Sequence, residues 1–390
     1  GGGLSNTPPS IPKSDSNEFN PSQVTTGGED WFEVSLYLEH HQFAKVAKLL
    51  EAAKSAAEAN RSPADEVRLG KLHAVCLARS AYLGDRITYR WQLRTSWGGL
   101  IQLMNRAEPH ETLPNGIIRI TSIPLMRFST GACWARVLEW MEALGAKVVR
   151  TCIGRVDLCV DLPGVEIDQL DRPYRAGHYV SRARLSAEYG LETPLVDHRY
   201  GRQSTGFRLG GGNKRVRAYD KLRETQTKPE KRALLVARRW GGLPEAASRV
   251  EFQLRREALK QYGIDTVDDY FGKRDAVAWG LCANWFRLTE GPVDPKHPER
   301  SRVLPLWWDV TKAFADWAGD SIEVDLTPLP KGIVDLDHLK KQFYGLAQSI
   351  LVRSQVSIGS IEDFAHEGMN LLLEIAETRD VTEECRRKAF

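Results

Sequence analysis

The segment from Thr205 to Glu224 reads TGFRLGGGNKRVRAYDKLRE, and the alternation in its second half decides what kind of surface the protein builds. In an extended strand, residues two apart share a face. Arg215, Arg217, Tyr219 and Lys221 therefore fall on one side, and Val216 and Ala218 on the other. The run Gly210-Gly211-Gly212-Asn213 just before it fits a hairpin turn, because Gly and Asn tolerate positive φ. It has neither P-loop spacing nor a strand-to-helix context, and no Walker motif occurs elsewhere, so ATP hydrolysis is not expected.

Two more stretches alternate in the same way. In RVDLCVD, Arg155, Asp157, Cys159 and Asp161 share one face, with Val156, Leu158 and Val160 behind them. In RVEFQLR, Arg249, Glu251, Gln253 and Arg255 face one way, and Val250, Phe252 and Leu254 the other. A single strand of this kind is ordinary for a half-exposed antiparallel sheet. Three of them, with acids on two and a tyrosine among cations on the third, predict one polar sheet face with a chemical purpose.

Charge points the same way. Formal net charge is only +3, yet Arg199 to Arg256 holds 16 Lys and Arg against 5 Asp and Glu, so this stretch carries +11 and the remainder −8. That asymmetry fits a polyanion-binding face on a neutral scaffold, although a solvated basic surface would read alike. Arg208, Lys214, Arg215, Arg249 and Arg255 are the candidate DNA contacts. Tyr200, Phe207 and Trp240 lie among them and could stack on bases, with core packing the alternative for Phe207. The six cysteines include no CxxC pair, and Cys152 and Cys159 lie in an apolar run, which predicts buried free thiols in a reducing, cytoplasmic setting. No apolar stretch is long enough to span a membrane.

Along the chain, residues 1–28 are rich in Gly, Ser, Pro, Asn and Thr and read as a flexible leader. Residues 29–291 read as a catalytic domain with a helical insertion at about 41–87, and 300–390 as a C-terminal helical domain. Strands are expected at Trp31 to Leu38, on both sides of Gly98-Gly99, at Gly116 to Ile123 and at Val148 to Leu162. Helices are expected from Phe43 to about Asn60, from an N-cap at Thr130 to Gly145, over 256–290, and at Leu304 to Trp317, Leu336 to Val352 and Ile361 to Glu377. Pro292 to Pro298 reads as a linker.

The chemistry suited to the polar face is phosphoryl transfer. Asp157, Asp161 and Glu251 offer hard carboxylate oxygens for Mg²⁺ or Mn²⁺. Tyr219 offers a phenol that can form a covalent phosphotyrosine, and flanking Arg217 and Lys221 are expected to favour its phenolate and hold a phosphate. A tyrosine nucleophile conserves the bond energy for religation. Against this, most strand tyrosines pack and most paired carboxylates are solvated or salt-bridged. A nucleic-acid binder without catalysis, or a nuclease whose acids activate water, would share many of these features.

At these residues the sequence resembles the replication-initiation-factor family, which comprises rolling-circle plasmid initiators, related relaxases of integrative elements and some phage replication proteins. The family pattern Arg-x-Tyr-x-Lys-x-x-Glu is met by Arg217, Tyr219, Lys221 and Glu224; TCIGRVDLCVD (Thr151 to Asp161) and SRVEFQLRR (Ser248 to Arg256) resemble its other two blocks. The resemblance runs from about Trp31 to Glu290, with an echo at LPLWW (Leu304 to Trp308). It implies an α+β fold: a mostly antiparallel central sheet with flanking helices, akin to the histidine-hydrophobic-histidine (HUH) nickases but with carboxylates in place of the histidines, followed here by a C-terminal all-α unit. It implies Tyr219 as nucleophile, Asp157 and Glu251, with Asp161, as metal ligands, Arg217 and Lys221 on phosphate, and Glu224 orienting Lys221 or assisting proton transfer. The implied substrate is single-stranded or hairpin-extruded DNA at an origin. The partners considered beyond it are a host helicase and a second copy of the chain, with no membrane.

Overall fold

The computed structural model describes residues 26–83, 87–183, 199–200, 203–318 and the positions 360, 363, 366, 367, 369 and 370. The chain divides into two compact units, Gly1–Thr327 and Pro328–Phe390. The helices expected at Leu336 to Val352 and Ile361 to Glu377 lie almost wholly outside the described residues, as do residues 1–25 of the expected leader.

Ten strands of the first unit form one sheet: β1 (Gly27–His40), β2 (Ala64–Leu69), β3 (Leu72–Leu77), β4 (Trp91–Thr95), β5 (Leu100–Leu103), β6 (Gly116–Thr121), β7 (Ala146–Pro163), β8 (Gly206–Gly211), β9 (Lys214–Asp220) and β10 (Ala247–Arg255). Their order across the sheet is β8-β9-β10-β7-β1-β6-β5-β4-β3-β2, and every neighbouring pair is antiparallel. The fold is thus α+β, with an antiparallel central sheet and flanking helices. The long β7 pairs with β1 through three register shifts, which bend both strands.

The apolar sides of the alternating strands form the core. Val156, Leu158 and Val160 of β7, Val250, Phe252 and Leu254 of β10, and Val216 and Ala218 of β9 are fully buried. Each large side chain withdrawn from water in this way contributes about 1.5–3 kcal/mol. Two helices cover this side. Phe252 meets Phe314 of the helix Pro305–Ala318 at 5.9 Å between ring centres, and Phe32 meets Tyr270 of the helix Val267–Gly280 at 5.5 Å. Thr266 and Asp269 start the latter with a reciprocal capping box.

Several expectations are corrected here. The insertion at about 41–87 is only partly helical: after the helix Phe43–Ala59, the chain forms the β2–β3 hairpin about Gly70, whose φ of +59 suits the turn. Val67, Ala74 and Cys76 are buried by that alternation, which the alanine-rich context had masked. The segment 256–290 is two helices, a π-helical turn and the strand Phe286–Leu288, interrupted where Gly263 takes φ +66. Ser129, rather than Thr130, caps the helix Thr130–Ala143 by accepting from the Ala132 amide at 3.0 Å. The helix Pro305–Ala318 belongs to the first unit, because Trp307, Val310 and Phe314 are buried in its core, so the break between units falls near residue 327 rather than 300. The strand expected from Trp31 already begins at Gly27.

Candidate active site

The three alternating strands are neighbours in the order β9-β10-β7, so their polar sides make one surface. Cross-strand partners share a face, and the register stacks them in rungs. Gly206, Tyr219, Arg249 and Asp161 form the first; Arg208, Arg217, Glu251, Cys159 and Gly28 the second. Gly210, Arg215, Gln253, Asp157 and Trp31 form the third, and Arg255 pairs with Arg155 in a fourth.

Tyr219 is partly buried and its hydroxyl donates to Glu251 Oε2 at 3.0 Å. Glu251 also accepts from Arg217, whose guanidinium lies 3.7 Å from Asp157 Oδ2, so one cation stands between the two carboxylates. Asp157 is held by Arg155, whose Nε donates to Oδ1 at 2.8 Å. Arg155 in turn lies over the Trp31 ring, and the Gln253 amide oxygen accepts from it at 2.6 Å when the amide is oriented to satisfy both groups. Burial, followed by repulsion from Glu251, pushes the Asp157 carboxyl up to about 7 despite its Arg155 hydrogen bond.

β9 ends at Asp220, whose side chain caps the short helix Lys221–Glu224 by accepting from the Arg223 amide at 2.8 Å. That turn folds Lys221 back under the tyrosine. Its Nζ lies 3.3 Å from the Tyr219 hydroxyl and 2.8 Å from Glu224 Oε2, fully buried. Burial and then nearby Arg249 lower the Lys221 ammonium to about 8. Burial opposes the Glu224 charge, but Lys221 and Lys228 hold it down at about 2.

The phenolate is not favoured here as the flanking cations had suggested. Burial and the Glu251 charge hold the Tyr219 hydroxyl well above its ordinary value, so at neutral pH it is a phenol with a carboxylate ready to accept its proton. Gly206, opposite Tyr219, has φ +138, and a Cβ there would sit 2.0 Å from the Ala218 carbonyl oxygen. A glycine at this position keeps the edge strand seated against the tyrosine's strand.

Several expected assignments change. Asp161 is not part of a metal cluster: both its oxygens accept from Arg249, at 2.6 and 2.8 Å, and neither residue reaches solvent. Arg249 is for the same reason no DNA contact, since its remaining amino group bonds Asp30. Lys214 falls on the opposite, apolar side of β9, where its Nζ donates to the Tyr262 hydroxyl at 2.6 Å. Phe207 and Trp240 are buried and offer no stacking surface. Asp30 escaped notice because its partner is 219 residues away in sequence. Cys159 is a buried free thiol, whereas Cys152 is only half-buried.

Among the described residues, no three His, Cys, Asp or Glu side chains converge as a metal cluster. Asp157 and Glu251 remain as a pair. Both are already engaged by guanidinium groups, and a hydrated divalent ion needs only one or two protein carboxylates when a phosphate completes its shell. No helix among the described residues is long and apolar enough to cross a membrane.

No described protein family and no curated protein matches this sequence. Among solved structures, the chain is similar to a rolling circle replication initiator protein from Geobacillus stearothermophilus. That likeness has a TM-score of 0.40 and 13% identity, and covers 74% of this chain and 96% of the other.

Proposed function

We propose that this protein is a metal-dependent, strand-specific DNA nicking-closing enzyme that works through a covalent 5′-phosphotyrosine on Tyr219, in the initiation of rolling-circle replication or of mobile-element transfer. The observation that carries the proposal is the 3.0 Å hydrogen bond from the Tyr219 hydroxyl to buried Glu251, set among Arg217, Lys221 and Asp157. Any buried tyrosine hydroxyl needs an acceptor, as Tyr270 finds in Glu29; what sets Tyr219 apart is that its proton acceptor and the cations Arg217 and Lys221 meet at one hydroxyl.

In this reading Tyr219 Oη attacks the scissile phosphorus in line as its proton passes to Glu251. The O–P bond to tyrosine forms, the bond to the 3′ oxygen breaks, and that oxygen leaves with a proton from solvent as a free 3′-OH. Lys221 stabilises the developing phenolate, and Glu224 holds Lys221 in place. Arg217 binds the non-bridging phosphate oxygens. Asp157 and Glu251 would hold Mg²⁺ or Mn²⁺, which when bound polarises the phosphodiester. Closing runs the same steps backwards from an incoming 3′-OH.

Strand transfer tests this. A labelled single-stranded oligonucleotide containing the target is incubated with protein and Mn²⁺, then an unlabelled strand ending in a 3′-OH is added. A nicking-closing enzyme moves the label onto the acceptor without another energy source. Free 5′-phosphate ends with no transfer would instead indicate a hydrolytic nuclease, and salt-sensitive binding with no cleavage a non-catalytic binder.

A further inference from the structure

We propose that the arginines beside Tyr219 form a phosphate ladder that holds one DNA single strand along β8–β10, running from the tyrosine toward the 212–213 turn. This rests on reading Tyr219 as the nucleophile, because that reading fixes one phosphate at the first rung.

The rungs supply the geometry. Tyr219 stands on the first, Arg208 and Arg217 on the second, Arg215 on the third, and Arg255 beside Arg155 on the fourth. The Arg255 amide donates to the Asn213 carbonyl at 2.8 Å, which ties the last rung to the turn. Five guanidinium groups thus face two carboxylates, Glu251 and Asp157, which are already engaged by Arg217 and Arg155. Among the described residues, Arg208, Arg215 and Arg255 have no carboxylate partner. The Nε atoms of Arg215 and Arg217 are buried with no hydrogen-bond acceptor, which is costly unless an anion supplies one. Burial first, and then the charges of Arg208, Arg217, Arg255 and Arg155 around it, lower the Arg215 pKa. Such crowding destabilises the free protein and is relieved by a polyanion.

The spacing fits a polynucleotide backbone. Successive rungs are about 6.7 Å apart, two residues of a strand. Neighbouring phosphates of one strand are about as far apart through space, because the backbone winds around the duplex axis as it advances about 3.4 Å along it. Each rung can therefore take one phosphate, and the choice of a single strand follows from Tyr219, whose hydroxyl at the first rung has to reach a scissile phosphate on DNA freed from its complement. The edge strand supports this path, since two of its residues on this face, Gly206 and Gly210, carry no side chain to block it.

Binding without turnover tests the ladder. The full chain carrying Tyr219→Phe is titrated by fluorescence anisotropy with a labelled single-stranded oligonucleotide between about 50 and 200 mM salt. Each of Arg208→Ala, Arg215→Ala and Arg255→Ala should weaken binding several-fold and make the slope of log K against log salt shallower by about 0.7. Arg215→Lys should restore the slope, which separates lost charge from lost fold. Neutral methylphosphonates at the first three phosphates on one side of the scissile bond should weaken binding, and on the other side should not. Unchanged slopes, equal binding of the matched duplex, or equal competition by an acidic peptide would overturn the ladder. Adducts in the wild type with unchanged slopes would remove the ladder alone, whereas ladder binding without any adduct would remove the nucleophile reading.

Discussion

Replacing Asp161 with asparagine separates a structural carboxylate from a metal-binding one. Asp161 and Arg249 are both shut off from solvent, and the pair is joined by two hydrogen bonds of 2.6 and 2.8 Å. Asparagine keeps the shape but removes the charge and one of the two acceptors, and leaves Arg249 with only Asp30 as counter-ion. Breaking one side of a buried ion pair costs about 3–5 kcal/mol, and the retained Asp30 contact argues for about 3. For a unit of this size that lowers Tm by about 5 °C. Asp157→Asn should behave in the opposite way. Its carboxyl already sits at about 7 because burial disfavours the charge, so a neutral isostere should change stability by no more than about 1 kcal/mol. It should nevertheless abolish Mn²⁺-supported nicking. The assay is a thermal melt of both variants, with covalent adduct yield per folded molecule measured well below either midpoint. An Asp161→Asn protein that melts like the wild type but loses its metal response would refute the structural assignment of Asp161.

The rate of adduct formation at subsaturating Mn²⁺ should rise with pH through about 7, as Asp157 sheds the proton that competes with the metal, and fall above about 8, as Lys221 loses the charge that supports the phenolate; a flat profile would count against both roles. Glu224→Gln removes an acid that raises the Lys221 pKa, so the alkaline limb should move to lower pH while the acid limb stays. Lys214, lowered from 10.5 to about 8 mainly by burial, binds its proton more weakly folded than unfolded. Folding stability should therefore rise between about pH 8 and 10.5, and denaturant titrations of Lys214→Met should lack that rise. Gly206→Ala forces a side chain into the Ala218 carbonyl and into positive φ, and should cost at least about 1–3 kcal/mol and most of the adduct, read by melting and gel.

Much of the site was legible because strand alternation has a strict period. The rows Arg155-Asp157-Cys159-Asp161, Arg215-Arg217-Tyr219 and Arg249-Glu251-Gln253-Arg255 could be placed on common faces from spacing alone, and in the sheet those faces coincide. Sequence could not say which partners the charges would choose, because that depends on cross-strand register. Asp161 and Arg249 share a rung and neutralise each other, so two residues that looked functional hold the sheet together. Lys214 looked like one more cation of the basic hairpin, yet it lies one residue out of phase with Arg215 and so faces the core. Asp30 had no local signal at all, since its partners Arg249 and Lys231 come from distant segments. The β2–β3 hairpin was hidden for a different reason: its short strands follow an alanine-rich helix, and only Gly70 punctuates them.

The most direct test of the central claim is to find the bond itself. Wild-type protein is incubated with single-stranded target DNA and Mn²⁺, the DNA is trimmed by nuclease, and tryptic peptides are sequenced by mass spectrometry. Cleavage after Arg217 and Lys221 releases the peptide 218–221, with Tyr219 as its only phenol. The account predicts a 5′-phosphonucleotide on Tyr219 in this peptide and no adduct in Tyr219→Phe. An adduct on any other residue, or one that survives the Tyr219→Phe change, would contradict it.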